Sequence, residues 1–363
     1  MDVVTARHER LRDALGSTGV DAAFVSPGTD LRYLLGATHP PFERLTGLVV
    51  GGGAPVLVVP LMDADTWRES VPQRDLEIVA WADGEDPYAV VGELLGRVAR
   101  VAVSADLAAR HVIGLQRATG GGTAFVADAA VQALRLVKDK EEIAQLRGAG
   151  AAIDAVHAVV PDLLRPGRRE LDVASDITEL MTDHGFSRAE FIAVASGPNG
   201  AHPHHSAGPR VMERGDLVFV DVSGPWCGGY FADSTRAYSL GEPAAAAVHA
   251  TAAVVEAMDA AVTAVRPGVR AEDVDRAARQ VLRAHGLADR FLHRTGHGIG
   301  LDVHEAPDIV AGNEKVLVPG MAFSIEPGVY LPGRFGARVE DIVVVTDAGR
   351  DVANNRPREL LVL

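Results

Sequence analysis

The sequence contains one distinctive segment twice, and this repeat restricts the fold more than any other feature. Residues 164–173 read Leu-Arg-Pro-Gly-Arg-Arg-Glu-Leu-Asp-Val, and residues 265–274, which lie 101 positions later, read Val-Arg-Pro-Gly-Val-Arg-Ala-Glu-Asp-Val. Each copy follows an Ala/Val-rich helical stretch, precedes an amphipathic one, and is followed by strand-like runs with two acidic residues. We therefore predict two similar halves, related by an approximate twofold, that each deliver a pair of carboxylates to one central place.

This central place is a candidate metal centre, because histidines and carboxylates recur there in apolar surroundings. Residues 295–305 read Thr-Gly-His-Gly-Ile-Gly-Leu-Asp-Val-His-Glu, so His297 lies among glycines that let another group approach closely. His293 and His304 lie on either side of it. Buried carboxylates must be protonated or find cations, so such a set is difficult to explain as solvated surface. The four carboxylates are Asp221, Asp233, Glu326 and Glu340.

The donor types restrict the chemistry of this centre. Four carboxylates and one imidazole suit Mn²⁺, Co²⁺, Fe²⁺ or Zn²⁺ better than an ion that prefers thiolates. One divalent ion would leave a large excess of negative charge, whereas two would balance it, and carboxylates can bridge two ions about 3.5–4 Å apart. Such a pair lowers the pKa of a shared water and polarises the carbonyl under attack. The residues alone therefore predict a dinuclear metal-dependent hydrolase.

Other catalytic classes fit the sequence less well. The segment at residues 296–300 has the wrong glycine spacing for a dinucleotide-binding motif. The pair His304-Glu305 is not followed by the second histidine that a His-Glu-x-x-His zinc site requires. Cys227, the only cysteine, lies in a turn-like Pro-Trp-Cys-Gly-Gly segment, so neither an intrachain disulfide nor a thiol nucleophile is expected.

The remaining sequence indicates a second domain and excludes some partners. Residues 5–130 alternate helical and strand-like stretches, so we predict a smaller α/β domain at 1–132 and a catalytic domain at 133–363. A net charge of −14 disfavours nucleic acid and anionic membranes as partners. The longest apolar run, residues 244–264, is interrupted by polar residues and is predicted to be a buried helix. With no secretory pattern, a cytoplasmic protein is expected.

Taken together, these motifs resemble those of the pita-bread metallopeptidases, which include methionine aminopeptidase, aminopeptidase P and prolidase. The linker between the two domains, with Arg135-Leu-Val-Lys and Glu142-Ile, and the N-terminal domain are similar to those of the creatinase/prolidase branch, so the resemblance covers nearly the whole chain. It implies an α+β fold, in which a pita-bread domain with an internal pseudo-twofold duplication follows a creatinase-type α/β domain. The matching strings are Val220-Asp-Val, Asp233-Ser-Thr-Arg, residues 296–305, Ile325-Glu-Pro-Gly-Val-Tyr and Arg338-Val-Glu-Asp.

The resemblance implies a role for each candidate ligand. Asp221 would hold one metal ion, and His297 and Glu326 would hold the other. Asp233 and Glu340 would bridge the two ions. Glu326 would also serve as the proton shuttle for the metal-bound water.

The resemblance also implies which residues contact the substrate. The segment at residues 195–205, Ala-Ser-Gly-Pro-Asn-Gly-Ala-His-Pro-His-His, matches the family segment whose histidine, here His204, lies near the substrate. His293 and His304 would bind substrate and stabilise the tetrahedral intermediate, and Arg338 would orient ligands or substrate. His202 and His205 are expected to be ordinary loop residues.

One departure from the family pattern concerns the hairpin that carries both aspartates. Asp221 and Asp233 are twelve residues apart, one more than the family's usual hairpin, and residues 225–229 form an unusual tip. A turn or a bulge can absorb an extra residue, so both aspartates are retained as ligands. The shape of the nearby substrate pocket is left open.

The leading functional hypothesis is a peptidase that cleaves the Xaa-Pro bond through a metal-bridging hydroxide. It would be a dipeptidase (prolidase) or an aminopeptidase P, acting on small peptides with proline at the second position, with two divalent ions. Mn²⁺ is the first expectation, with Co²⁺, Zn²⁺ and Fe²⁺ as alternatives, and the family implies a homodimer. The alternative is a non-peptide C–N amidohydrolase on the same scaffold, similar to ectoine hydrolase or creatinase. A binding module without catalysis would have lost ligands, and all five are present.

Overall fold

The computed structural model describes residues 3–40, 42–71, 76–127 and 129–363. The chain divides into two compact units, Met1–Arg135 and Leu136–Leu363. The domain boundary predicted after residue 132 lies close to this division.

The N-terminal unit is built on a six-stranded sheet with the strand order β4-β3-β2-β1-β5-β6. Its two antiparallel contacts join β1 to β2 and β2 to β3, and the other neighbours are parallel. Strands β2 and β3 are consecutive in the chain and form an antiparallel hairpin. The elements are α1 Val3–Ser17, β1 Ala22–Val25, α2 Thr29–Leu35, β2 Gly47–Val50, β3 Val56–Pro60, α3 Ala64–Ser70, β4 Glu77–Trp81, α4 Pro87–Leu95, β5 Arg100–Val103, α5 Ala109–Ala118, β6 Ala124–Ala127 and α6 Ala130–Leu136.

The C-terminal unit begins with a helix whose start is specified by its own sequence. The side chain of Asp139 accepts hydrogen bonds from the amides of Glu141 and Glu142, and the Glu142 side chain bonds back to the Asp139 amide. This capping box satisfies amides that a helix end leaves free. The elements of the unit are α7 Lys140–Leu163, α8 Glu170–Asp183, β7 Phe191–Ser196, β8 Leu217–Pro225, β9 Phe231–Ser239, α9 Ala245–Ala264, α10 Ala271–Ala284, β10 Gly296–Gly298, β11 Glu305–Ile309, β12 Ala322–Ile325, β13 Gly328–Leu331, β14 Phe335–Arg338, β15 Asp341–Thr346, β16 Gly349–Val352 and β17 Leu361–Val362.

The predicted duplication is visible in the order of these elements. The helices α8 and α10 have 14 residues each and begin at the corresponding positions Glu170 and Ala271. In the first half a helix pair precedes the antiparallel set β7-β8-β9, and in the second half a helix pair precedes the set β10-β12-β15. Each half has its own hydrophobic core.

Helix α9 illustrates how the second core is formed. The helix is long and apolar enough to cross a membrane, but half of its apolar stretch is buried inside the protein. Ala253, Val254 and Ala257 are fully buried in the core of the second half. This agrees with the prediction of a buried helix.

The two halves are joined where their acidic strands meet. Thr235 of β9 forms a bridge with Glu340, with hydrogen bonds in both directions between their backbones. Beside it, the buried guanidinium of Arg236 donates to the Glu340 carbonyl at 2.8 Å and to a carboxylate oxygen of Asp341 at 2.6 Å. This junction brings the carboxylates of the two halves to one place.

Candidate metal centre

The β8–β9 hairpin presents both aspartates on one face. Asp221 pairs with Thr235, and Ser223 pairs with Asp233, so the two aspartates are on the same side of the antiparallel ladder. The pairing runs without a break from Leu217–Ser239 to Pro225–Phe231. No bulge is therefore needed, and the tip at residues 226–230 accommodates the longer spacing.

This tip packs away from the candidate site. The Trp226 indole donates to the His184 carbonyl at 3.0 Å and lies against Gly148 of α7, where an added Cβ would come within 2.4 Å of the ring. The Tyr230 hydroxyl donates to Glu142 at 2.7 Å. The unusual tip thus docks on α7 and the end of α8, and none of its residues is among those that line the cavity described below.

The glycines around His297 are required by close backbone packing. A Cβ at Gly296 would lie 1.8 Å from the Ser324 carbonyl oxygen, and one at Gly298 would lie 2.1 Å from that of Ala306. The His297 amide donates to the Ser324 hydroxyl at 3.0 Å. Strand β10 is therefore held tightly between β11 and β12, and this fixes the imidazole.

The predicted ligand atoms converge around the Nε2 atom of His297. Its distances are 3.4 Å to Glu326, 3.7 Å to Asp233 and 4.0 Å to Glu340, measured to the nearest carboxylate oxygens. Ligand atoms of Asp233, His297 and Glu340 all lie within 4.8 Å of one another. Separations of this size suit donors that share one ion at metal–ligand distances of about 2.0–2.2 Å.

Asp221 provides a further indication that a cation fits this centre. One of its oxygens accepts a hydrogen bond from Arg338, whereas the other, Oδ1, is buried and accepts none from the residues that the structure describes. A buried carboxylate oxygen without a partner is costly, and a metal ion would supply one. The donor set and this oxygen therefore both fit a divalent ion.

The raised pKa values of the carboxylates also indicate that a cation fits this centre. Burial, and then the charges of Asp221 and Glu326, raise the pKa of Asp233 well above its usual value. Burial and Asp233 raise the pKa of Glu340 similarly. Burial, reinforced by Asp221 against the opposing effect of Arg338, raises the pKa of Glu326 to about 7.

The imidazole of His297 differs from these acids, because burial and the adjacent His304 lower its pKa to about 3. It is therefore neutral at physiological pH, which is the form that binds metals. A divalent cation bound here would stabilise the ionised form of the crowded carboxylates and would be bound by the neutral imidazole.

All nine predicted site residues line one cavity of about 580 Å³ in the C-terminal unit. The structure thus brings together every residue that the sequence singled out, although their individual roles stay predictions. The other lining residues are Glu190, Phe191, Ser223, Arg294 and Val303.

The three histidines of the cavity wall are held differently. His293 is fixed at both ring nitrogens, since Nδ1 donates to the Arg294 carbonyl at 2.7 Å and Nε2 accepts from the Tyr330 hydroxyl at 2.8 Å. Burial and the nearby Arg338 lower its pKa to about 4. The imidazoles of His204 and His304, by contrast, form no hydrogen bond with any described residue, so both are available to a ligand.

Tyr330 is a site residue to which the sequence analysis gave no role. Its buried hydroxyl accepts from Arg338 at 3.0 Å and donates to His293, so it connects the guanidinium to the imidazole. Arg338 also donates to the Pro203 carbonyl at 3.0 Å. The only sequence signal for Tyr330 was its place in the string at residues 325–330.

Two protein-family models match most of the chain. The model of metallopeptidase family M24 matches residues 144–347, and the model of the creatinase/prolidase N-terminal domain matches residues 7–137. The chain is 49% identical over 353 residues to a "Probable dipeptidase PepE" of Mycobacterium tuberculosis, covering 96% of this chain and 94% of the relative. It is 33% identical to an "Xaa-Pro dipeptidase" of Lactobacillus helveticus, with 98% of each chain covered.

A solved structure agrees with these matches. The crystal structure of dipeptidase PepE from Mycobacterium ulcerans superposes with a TM-score of 0.94 at 48% identity, covering 99% of this chain and 98% of that one. The predicted fold class, an α/β creatinase-type domain followed by a pita-bread domain, is confirmed.

Proposed function

The chain belongs to metallopeptidase family M24, and from this premise we propose that it is an Xaa-Pro dipeptidase. The observation that carries the proposal is the convergence of four carboxylates and His297 on one cavity, where the Asp221 Oδ1 atom has no hydrogen-bond partner among the described residues. Relatives named as dipeptidases support a dipeptide substrate over a longer peptide. A cytoplasmic location and a homodimer stay predictions.

The family implies divalent metal ions, and we assign two of them, with Mn²⁺ as the first candidate. Asp221 would hold one ion, His297 and Glu326 would hold the other, and Asp233 and Glu340 would contact both. When bound, the ions supply Lewis acidity and lower the pKa of a nearby water. The carboxylates balance the positive charge of the ions.

The remaining steps fall to the side chains of this chain. Glu326 lines the cavity and would take a proton from the attacking water and pass it to the departing proline nitrogen. The imidazoles of His204 and His304, which form no hydrogen bond within the described part of the chain, would donate to the oxygen that gains charge in the tetrahedral intermediate. His293 would give up its hydrogen bond with the Tyr330 hydroxyl and form one with the substrate instead. Arg338 would keep Asp221 in place through their ion pair.

The decisive experiment measures amino-acid release by metal-stripped protein, with and without added Mn²⁺. The substrates are Leu-Pro, Leu-Pro-Gly-Gly and the matched control Leu-Ala. We expect Mn²⁺-dependent cleavage of Leu-Pro alone. Cleavage of the tetrapeptide would instead identify an aminopeptidase P.

Two other outcomes would overturn the proposal. Protein that binds two ions per chain but cleaves none of the three peptides would be a C–N amidohydrolase with a non-peptide substrate. Protein that binds no metal at all would contradict the ligand assignment itself.

A further inference from the structure

A buried glutamate outside the cavity lies behind the loop that carries His204. Glu170, the first residue of α8, is completely buried. Its carboxylate accepts hydrogen bonds from the Ser196 amide at 2.8 Å and the Ser196 hydroxyl at 2.5 Å. It also accepts from Asn199 at 3.0 Å and from the His205 imidazole at 2.8 Å.

These bonds join the two ends of one loop. Ser196 ends β7 just before the loop at residues 197–208, and Gly208, at its far end, donates its amide to the same carboxylate at 3.4 Å. The backbone of α8 adds to this closure, since the Leu171 amide donates to the Gly208 carbonyl at 3.0 Å. Glu170 therefore closes the base of the loop, and His205, which was expected to be an ordinary loop residue, is one of its ties.

His204 lies in this loop, and its own side chain does not hold it. The imidazole lines the cavity but forms no hydrogen bond with the described part of the chain. Its position is therefore set by the backbone on either side. The preceding carbonyl, that of Pro203, accepts from Arg338, so the loop is also tied to the cavity wall.

The ionised form of Glu170 is well suited to this role. Burial would raise its pKa, but the hydrogen bonds from Ser196, His205 and Asn199 outweigh burial and hold it below the usual value. All of these partners act as donors, and a carboxylate only accepts. A glutamine of the same shape would turn its NH₂ group towards donors and leave at least one of them unsatisfied.

We propose that Glu170 is a positioning residue that sets the place of His204 in the cavity through the loop at residues 197–208. The inference rests on the proposed function, because His204 is assigned there to the substrate. A displacement of the loop by about 1 Å would cost up to about 100-fold in rate.

The test is a double-mutant cycle on Mn²⁺-loaded enzyme with Leu-Pro as substrate. Glu170→Gln and His204→Ala are each expected to lower kcat/KM by about 10- to 100-fold. In the double variant the loss should equal that of His204→Ala alone, because the two residues act through one group. Multiplicative losses, or a wild-type rate for Glu170→Gln, would overturn the proposal.

Controls separate positioning from simple loss of stability. Val173→Ala removes buried volume from the same helix and leaves every hydrogen bond of Glu170 to the loop in place, so its folded fraction should keep the wild-type kcat and KM. If Glu170→Gln does not fold, His205→Ala removes one tie only and replaces it in the cycle. It should then show the same non-additivity with His204→Ala, and additive losses would again overturn the proposal.

A measurement independent of activity distinguishes this proposal from the proposed function. Amide hydrogen exchange across residues 197–208 should be faster in Glu170→Gln than in Val173→Ala, whether or not Leu-Pro is cleaved. If wild-type protein does not hydrolyse Xaa-Pro peptides, the proposed function fails and the exchange data alone decide whether Glu170 holds the loop. Unchanged exchange would overturn the positioning role.

Discussion

The two halves of the catalytic unit have the same order of helices and strands but deliver their acids in different ways. In the first half, Asp221 and Asp233 lie inside one continuous ladder, where strand geometry alone puts them on the same face. In the second half, Glu326 follows β12 and Glu340 precedes β15, with the small hairpin of β13 and β14 between them. The longer glutamates thus lie at strand ends and the shorter aspartates lie within strands.

The two halves of the duplication therefore share the place at which their acidic side chains come together, but not the local backbone structure that carries these side chains. The junction between the halves, formed by Thr235, Arg236 and Glu340, ties the two arrangements together.

A second contrast between the two halves concerns their first helices, α7 and α9. His157 of α7 corresponds to Met258 of α9 in the repeat, so the first half has a polar buried residue where the second has an apolar one.

The largest expected effect comes from removing one acid from each half. Asp233→Ala and Glu340→Ala should each lose bound metal and activity together, the rate by at least about 10³-fold, because several kcal/mol of transition-state stabilisation depends on the ions. Metal content by mass spectrometry and Leu-Pro hydrolysis measure both losses. The matched control is Asp351→Ala, which removes the partner of Arg147 in a solvent-exposed ion pair. It should change neither the metal content nor the rate. Full activity in either cavity variant would show that its half does not supply a ligand.

The junction itself is tested by Arg236→Met. This change removes a buried guanidinium from Asp341 and from the Glu340 carbonyl, so the free energy of unfolding should fall by about 3–5 kcal/mol, measured by urea denaturation. The control is Arg147→Met, which breaks an exposed ion pair between α7 and β16 and should cost no more than about 1 kcal/mol. Equal losses of unfolding free energy in the two variants would mean that the buried junction stabilises the protein no more than an exposed ion pair does.

The smallest effect concerns pH and the residue that distinguishes the two helices. His157 is buried, donates to the Ser234 carbonyl at 3.1 Å and faces the Tyr238 hydroxyl. Burial and Arg236 lower its pKa to about 3. The unfolded chain therefore binds a proton at this histidine below about pH 6.5 that the folded protein does not, so stability falls as pH decreases, by up to about 1.4 kcal/mol per pH unit from this group.

Replacing His157 with the residue of the other half tests this directly. His157→Met should be less stable at pH 7 by about 1–3 kcal/mol, because the Ser234 carbonyl loses a donor. Its stability should decline less steeply between pH 6 and pH 4 than that of the wild type, as followed by urea denaturation at each pH. An unchanged slope would mean that His157 is not responsible for the acid sensitivity.

The sequence predicted those parts of the molecule that depend on local patterns. The duplication followed from the repeated Arg-Pro-Gly segment, and the five candidate ligands followed from acids and glycines in apolar runs, whereas His204 and Arg338 were expected only from the family resemblance. The short helices α2 and α3 and strand β4 were not predicted, because their stretches are too short or too polar for a clear period. The contacts of Tyr330 with His293 and of Glu170 with His205 were not predicted, because the partners are distant in the sequence and only the folded chain brings them together.

The hairpin tip that packs on α7 and α8 also contains a tryptophan that can serve as a fluorescence probe. The chain has three tryptophans, of which Trp67 and Trp81 belong to the N-terminal unit and Trp226 to the catalytic unit. Replacing the first two with phenylalanine would leave a single fluorophore, with its ring against Gly148 and its N–H on the His184 carbonyl. Its emission would then report the separation of the hairpin from α7 and α8, so the melting of the catalytic unit could be followed separately from that of its neighbour.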